Sequence, residues 1–152
     1  MLVTFDPMKT KLFVPFLFVA LLLAGVGRLA AAPAATTTHR VVFELTSPDA
    51  RVWAGALNNV ENLRTALGGA TEVEVVAHGN GLGFLLRTNT ALANRMKRLA
   101  DDGVVFAACR NTMRRQHVTA DALLPFATTV DSGVAEVVRR QEQGWAYVHI
   151  GS

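Results

Sequence analysis

Apolar and polar positions along the chain alternate between two rhythms, one of period two and one of period 3.6. Arg40 to Thr46 (R-V-V-F-E-L-T) is apolar and β-branched and is bounded by Ser47-Pro48, which predicts a buried strand followed by a helix start. Ala50 to Leu67 carries Val52, Ala56, Leu57, Val60, Leu63, Ala66 and Leu67 at helical spacing and ends in Gly68-Gly69. Thr71 to Ala77 (T-E-V-E-V-V-A) alternates and then turns wholly apolar, as a second strand does, and stops at the glycine-rich loop His78 to Gly83. Thr90 to Leu99 places Leu92, Met96 and Leu99 opposite Arg95, Lys97 and Arg98, which predicts a second helix closed by Asp101-Asp102-Gly103. Val104 to Ala108 is a near-continuous apolar run, the mark of a central strand in a parallel sheet. Arg110 to His117 then reads as a short helix, and Thr119 caps a further turn that runs through Leu124 and is broken by Pro125. Ala127 to Val130 is a short fourth strand, Ser132 caps a helix over Val134 to Gln143 that Gly144 ends, and Trp145 to Ile150 is a fifth strand.

Strands that alternate with helices must be parallel and joined by right-handed crossovers, which predicts a three-layer α/β sandwich around a five-stranded, mainly parallel sheet. In such sheets the functional crevice lies beyond the carboxyl ends of the strands. Three loops are expected there: His78 to Gly83, Cys109 to Asn111 and Asp131 to Gly133.

The first 38 residues follow a different rule. From Met8, two lysines precede an apolar stretch from Leu12 to Val26 and then an alanine-rich exit, the layout of a secretory signal peptide. Small residues at Ala32-Pro33-Ala34 place the cleavage site there or up to three residues earlier. The expected organisation is a signal peptide over 1–34, a short linker over 35–39 and one α/β domain over 40–152, exported to the periplasm or secreted. An uncleaved leader would act as a membrane anchor, although its apolar run is shorter than the roughly 20 residues of a spanning helix. Loss of residues 1–34 removes Lys9, Lys11, Arg28 and Asp6, so the formal charge of +3 falls by two, to +1. The basic balance therefore resides mostly in the leader and gives no reason to expect nucleic acid as a partner.

The one cysteine of the chain, Cys109, closes the third strand and is followed by Arg110, Arg114 and Arg115. A thiol at a helix start beside guanidinium groups has a lowered pKa and attacks sulfur as the thiolate. The same position also suits a small buried hydrophobe. Arg110 and Arg114, four residues apart, share a helix face that can hold an oxyanion such as sulfite or a carboxylate. His78 either shuttles a proton beside the thiolate or hydrogen-bonds the turn that contains Gly79 and Gly81. His39, His78, His117 and His149 show no metal-ligand spacing with Cys109, so no metal and no cofactor is expected. Gly79-x-Gly81-x-Gly83 does not follow the first strand and is not the dinucleotide fingerprint. Ser132 in D-S-G is a helix cap rather than a nucleophile.

Several stretches together resemble the DsrE/DsrF-like family, small α/β proteins that include sulfur-relay components: A-L-N-N-V-E-N-L (56–63), V-V-A-H-G-N-G (75–81), G-V-V-F-A-A-C-R-N-T-M (103–113), D-A-L-L-P (121–125), V-D-S-G-V-A-E-V-V (130–138) and Q-E-Q-G-W-A-Y-V (141–148). The resemblance implies a flavodoxin-like parallel sheet, assembly as a homo-oligomer and, as in the relay members, a cysteine near the end of the third strand that carries persulfide sulfur between proteins. The export leader departs from the cytoplasmic relay proteins. Two functions are in play. The first is a periplasmic sulfur carrier or sulfurtransferase in which Cys109 accepts sulfane sulfur from a donor protein or small sulfur anion, Arg110 and Arg114 stabilise the anion, and His78, Gly79, Gly81 and Asn111 line the pocket. The second is a non-catalytic oligomeric α/β module that binds a small anion or a partner protein. Flavin or nucleotide binding rests on fold analogy alone.

Overall fold

The computed structural model describes residues 38–68 and 70–150, and the expected leader lies outside the described residues. Strand β1 (Arg40–Leu45) leads into helix α1 (Ala50–Leu67), whose first turn is capped by the Asp49 carboxylate accepting from the Arg51 N–H at 2.8 Å. Strand β2 (Glu72–Ala77) is followed by a 3-10 segment over Gly79–Leu85 and then helix α2 (Thr90–Asp101). Strand β3 (Val105–Cys109) runs directly into the six-residue helix α3 (Arg110–Arg115). A 3-10 turn over Ala120–Ala122, strand β4 (Thr128–Val130), helix α4 (Gly133–Glu142) and strand β5 (Ala146–Ile150) complete the fold. Among the described residues no helix is long and apolar enough to cross a membrane.

The expected three-layer α/β sandwich is present, and all five strands are parallel. The layers are those of a flavodoxin-like fold, but the strand order, β4-β3-β2-β1-β5, differs from the 2-1-3-4-5 order of flavodoxin itself. The first four strands step steadily in one direction, and the α4 crossover then returns the chain across the sheet to set β5 beside β1.

The segment over Gly79–Leu85 is a packed turn rather than an open loop. Leu82, Phe84 and Leu85 are fully buried. At Gly81 a Cβ would lie 2.3 Å from the Leu45 carbonyl oxygen, so only glycine fits where the turn crosses the end of β1. The main core lies on the α1 side, where Phe43, Leu45, Val75 and Phe106 meet Leu57, Val60, Met96 and Leu99. An aromatic run from Trp53 through Phe84 and Phe106 to Phe126, with centroids 5.9–6.1 Å apart, extends through it. A smaller cluster of Val42, Val76, Ala107 and Val137 lies beneath α4 on the opposite face.

That smaller cluster fixes the orientation of the rim. Side chains two residues apart on a strand share a face, so Glu44, His78 and Cys109, each two positions beyond Val42, Val76 and Ala107, follow the α4 side. Neighbouring strands lie about 4.8 Å apart. With Leu45 paired to Ala77 and Ala77 to Ala108, His78 and Cys109 stand level beyond β2 and at the end of β3, and Glu44 lies two positions lower on β1, in register with Val76 and Ala107.

Candidate functional site

Cys109 ends β3 and is the N-cap residue of α3, in extended conformation. The residue is 4 % exposed, so the thiol belongs to the interior of the described domain. Burial by itself pushes the thiol pKa up. The Thr112 hydroxyl and the backbone amides of Gly133, Thr112 and Asn111 outweigh that cost and hold the pKa below the ordinary thiol value. These four donors, three of them backbone amides, border the sulfur.

Each donor is itself held in place. The Thr112 hydroxyl oxygen accepts the Gly79 N–H at 2.9 Å and the Arg115 guanidinium at 3.5 Å, which leaves its own proton for the sulfur. Gly79 has φ +56° and its carbonyl accepts from Gln116 Nε2 at 2.9 Å, so this glycine braces the threonine rather than facing a ligand. The Asn111 N–H also reaches the Asp131 carbonyl at 3.2 Å, which ties α3 to the loop after β4. Ser132 caps α4, as its sequence context predicts, by accepting from the Ala135 N–H at 3.4 Å, and this sets Gly133 at the first position of that helix.

Arg110 and Arg114, expected to stabilise the sulfur anion, take other partners among the described residues. Arg110 Nε donates to Thr129 Oγ1 at 2.9 Å, and its Nη1 lies 3.7 Å from the exposed carboxylate of Asp131. Arg114 donates to the side-chain oxygen of Asn111. A helix of six residues gives its exposed side chains acceptors on the β4 edge and on its own first turn before they reach the thiol. The groups that lower the thiol pKa are backbone amides and one hydroxyl.

His78 follows β2 at the level of Cys109 and carries a bond to Glu44 on β1. Its Nε2 lies 2.7 Å from Glu44 Oε1, with both side chains 16 % exposed. The second oxygen, Glu44 Oε2, accepts from the Tyr147 hydroxyl and lies 3.3 Å from His149 Nδ1. Burial pushes the Glu44 pKa up, yet the bonds from Tyr147, His78 and His149 outweigh it and keep the carboxyl below its usual range. The Tyr147 phenol, donating to that carboxylate, is pushed up to about 12. On the other side of His78 stands Gly133, where a Cβ would meet the His78 Cβ, Cγ and Cδ2 atoms at 2.8–2.9 Å. Gly133 therefore touches the imidazole and points its amide at the sulfur.

The structure thus brings Cys109, His78, Gly79 and the Asn111 backbone into one neighbourhood, uses Gly81 to pack the turn, and directs Arg110 and Arg114 elsewhere. Glu44, Thr112, Tyr147 and His149 join the site without having been singled out in the sequence. Gly133 lay in an expected rim loop, but its double contact is visible only in three dimensions. Among the described residues no group of three or more His, Cys, Asp or Glu side chains is placed to hold a metal ion.

A match to the DsrE/DsrF-like family spans residues 33–150. The chain belongs to the DsrE/DsrF-like family. A solved structure from Methanobacterium thermoautotrophicum, the protein of unknown function MTH1491, is 37 % identical with a TM-score of 0.69, and the alignment covers 73 % of this chain and 98 % of that one. The conserved protein of unknown function BT1422 from Bacteroides thetaiotaomicron is 14 % identical with a TM-score of 0.59, over 73 % and 94 % of the two chains. The ychN protein of E. coli is 9 % identical with a TM-score of 0.62, over 75 % and 100 %. The latter two show the shared fold alone. No curated protein matches the chain. DsrE/DsrF-like membership points to a role related to sulfur relay.

Proposed function

We propose that this DsrE/DsrF-like protein carries sulfane sulfur as a persulfide on Cys109. The observation that carries this reading is the set of donors around the thiol: one hydroxyl and three backbone amides stabilise a sulfur anion in a site from which water is largely excluded. A thiolate is the form that accepts sulfur from a persulfide or polysulfide. The leader-like segment before the domain favours action in the periplasm or outside the cell, and family resemblance favours a homo-oligomer exchanging sulfur with a donor or acceptor protein.

A second reading has its own support. Cys109 is 4 % exposed and Arg110 and Arg114 bond other groups, which suits a non-catalytic α/β module whose cysteine is interior packing.

Incubation with polysulfide, followed by mass spectrometry of the intact protein, separates the two. The carrier reading expects the mass of added sulfur on Cys109 and its loss in Cys109→Ser. It also expects the pH midpoint of Cys109 alkylation to fall below the ordinary thiol value of 9.0. An unmodified protein, under conditions that load a cysteine-containing peptide, would establish the module instead.

A further inference from the structure

We propose that Glu44 is a positioning residue for sulfur transfer, holding His78 with its proton on Nε2 so that Nδ1 is the nitrogen that exchanges a proton with the sulfur chemistry at Cys109. This rests on the carrier reading above and adds to it a residue from the first strand.

Three chemistry-bearing side chains line one face at the sheet's rim. Glu44, His78 and Cys109 stand at the ends of adjacent strands and on one face, His78 level with Cys109 and Glu44 two positions lower on β1, in register with Val76 and Ala107. Glu44 is ionised, because the bonds it accepts outweigh its partial burial. A carboxylate can only accept, so the 2.7 Å contact at Oε1 requires a proton on His78 Nε2. The neutral ring then has a bare Nδ1, which has no hydrogen-bond partner among the described residues. Tyr147 and His149 occupy the other carboxylate oxygen and keep it from rotating away from the imidazole. Gly133 completes the arrangement: its Cα packs against the ring while its amide faces the thiol, so the imidazole and the sulfur border the same residue. Any side chain at 133 would displace one of them.

The chemistry balances without an oxidant or reductant. The co-reactant is a donor persulfide, R–S–SH. As the proton of the Cys109 thiol passes to His78 Nδ1, the thiolate attacks the donor's outer sulfur. A bond forms between Cys109 Sγ and that sulfur, and the donor's S–S bond breaks. The released electron pair stays on the donor's inner sulfur, which leaves as a thiolate and takes the proton back from His78. The products are the Cys109 persulfide and the donor thiol. Glu44 contributes by fixing the tautomer and by stabilising the transient imidazolium, as an orienting carboxylate does for a catalytic histidine.

The test uses the full chain and glutathione persulfide as donor. In the unsubstituted protein, nitrogen-15 NMR of the imidazoles is expected to show His78 protonated at Nε2 and bare at Nδ1 when neutral. Glu44→Gln should slow sulfur transfer to Cys109 by roughly tenfold, less than the roughly hundredfold or more that the acid–base group itself contributes, because Glu44 acts only through His78. Alkylation of Cys109 by iodoacetamide, which requires no proton return to a leaving thiolate, should change far less. Glu44→Asp should recover part of the rate, and Glu44→Gln combined with His78→Gln should be no slower than His78→Gln alone. Transfer by Glu44→Gln at the unsubstituted rate, or a His78 proton on Nδ1, overturns the proposal. If Glu44→Gln does not fold by circular dichroism, the tautomer measurement on the unsubstituted protein decides. If the unsubstituted protein takes up no sulfur, the carrier reading itself fails, which the tautomer measurement distinguishes from failure of the Glu44–His78 contact.

Discussion

On the α1 side of the sheet, Phe43, Val75 and Phe106 interdigitate with Leu57, Val60 and Met96; on the α4 side, the alternate residues of the same strands include Glu44 and Glu74. The first face is covered by α1 and α2 and is apolar throughout its core. The second is covered by one ten-residue helix, and beneath it Glu74, 1 % exposed, pairs with Arg140. Arg140 Nε also lies 3.0 Å from Glu136, and its guanidinium stacks 4.7 Å from the Trp145 ring centroid. Burial pushes the Glu74 pKa up, and although Arg140 opposes that, the neighbouring Glu136 charge adds to it. One backbone scaffold therefore supports a face that holds the fold by hydrophobic burial and a face that carries two separate polar clusters, Glu74 with Arg140 and Glu136 beneath α4 and Glu44 with His78, Tyr147 and His149 at the rim. Strand alternation allows both at once, because each face draws on every second residue.

The sharpest way to break this contrast is to remove a fully buried ring from the apolar face. Phe106→Ala should destabilise the domain by about 3–5 kcal/mol in urea denaturation. A loss below about 1 kcal/mol would mean that this face collapses around the gap and is not the principal anchor. Arg140→Ala strands Glu74 without its cation. Breaking a fully buried pair costs about 3–5 kcal/mol, and the guanidinium here is 27 % exposed, so about 2 kcal/mol is expected. Replacing Glu74 and Arg140 together by leucine should recover most of that loss, since two apolar groups need no partner. No recovery would show that the charge network, rather than burial, secures α4.

The smallest effect is in the pH dependence of melting, and its sign differs between the two acids. Glu44 has a lowered folded pKa, so its contribution is present above the unfolded value near 4.5 and is lost as pH falls through the folded value. Glu74 has a raised folded pKa, so its contribution is complete below about 4.5 and is lost as pH rises through the folded value. Melting curves should show the advantage of the unsubstituted protein over Glu44→Gln shrinking toward acid, and its standing relative to Glu74→Gln worsening toward neutral pH. Parallel trends in both variants would remove the distinction between the two carboxylates.

The α/β order and nearly every element boundary are legible in the sequence because period-two and period-3.6 patterns are local. Cys109 is visible too, as the residue where the apolar run of β3 stops. What surrounds the sulfur is not local. Thr112 matters because Gly79, 33 residues earlier, donates to its hydroxyl. Glu44 sits in a run that reads simply as a buried strand, and its partners arrive from 34, 103 and 105 residues later. The strand order that brings β5 beside β1 leaves no periodic trace. Arg110 and Arg114 illustrate the opposite case: helical spacing makes them a tempting pair for an anion, but Thr129, Asp131 and Asn111 supply nearer acceptors.

The chain contains a single tyrosine, and it is Tyr147, the phenol that donates to Glu44. Its near-ultraviolet absorbance is therefore an intrinsic optical gauge of the rim, free of overlap from other phenols. Phenolate colour emerging near the ordinary 10.0 reports a ring released from the carboxylate, whereas onset delayed to about 12 reports the clasp intact, with no dye or isotope attached.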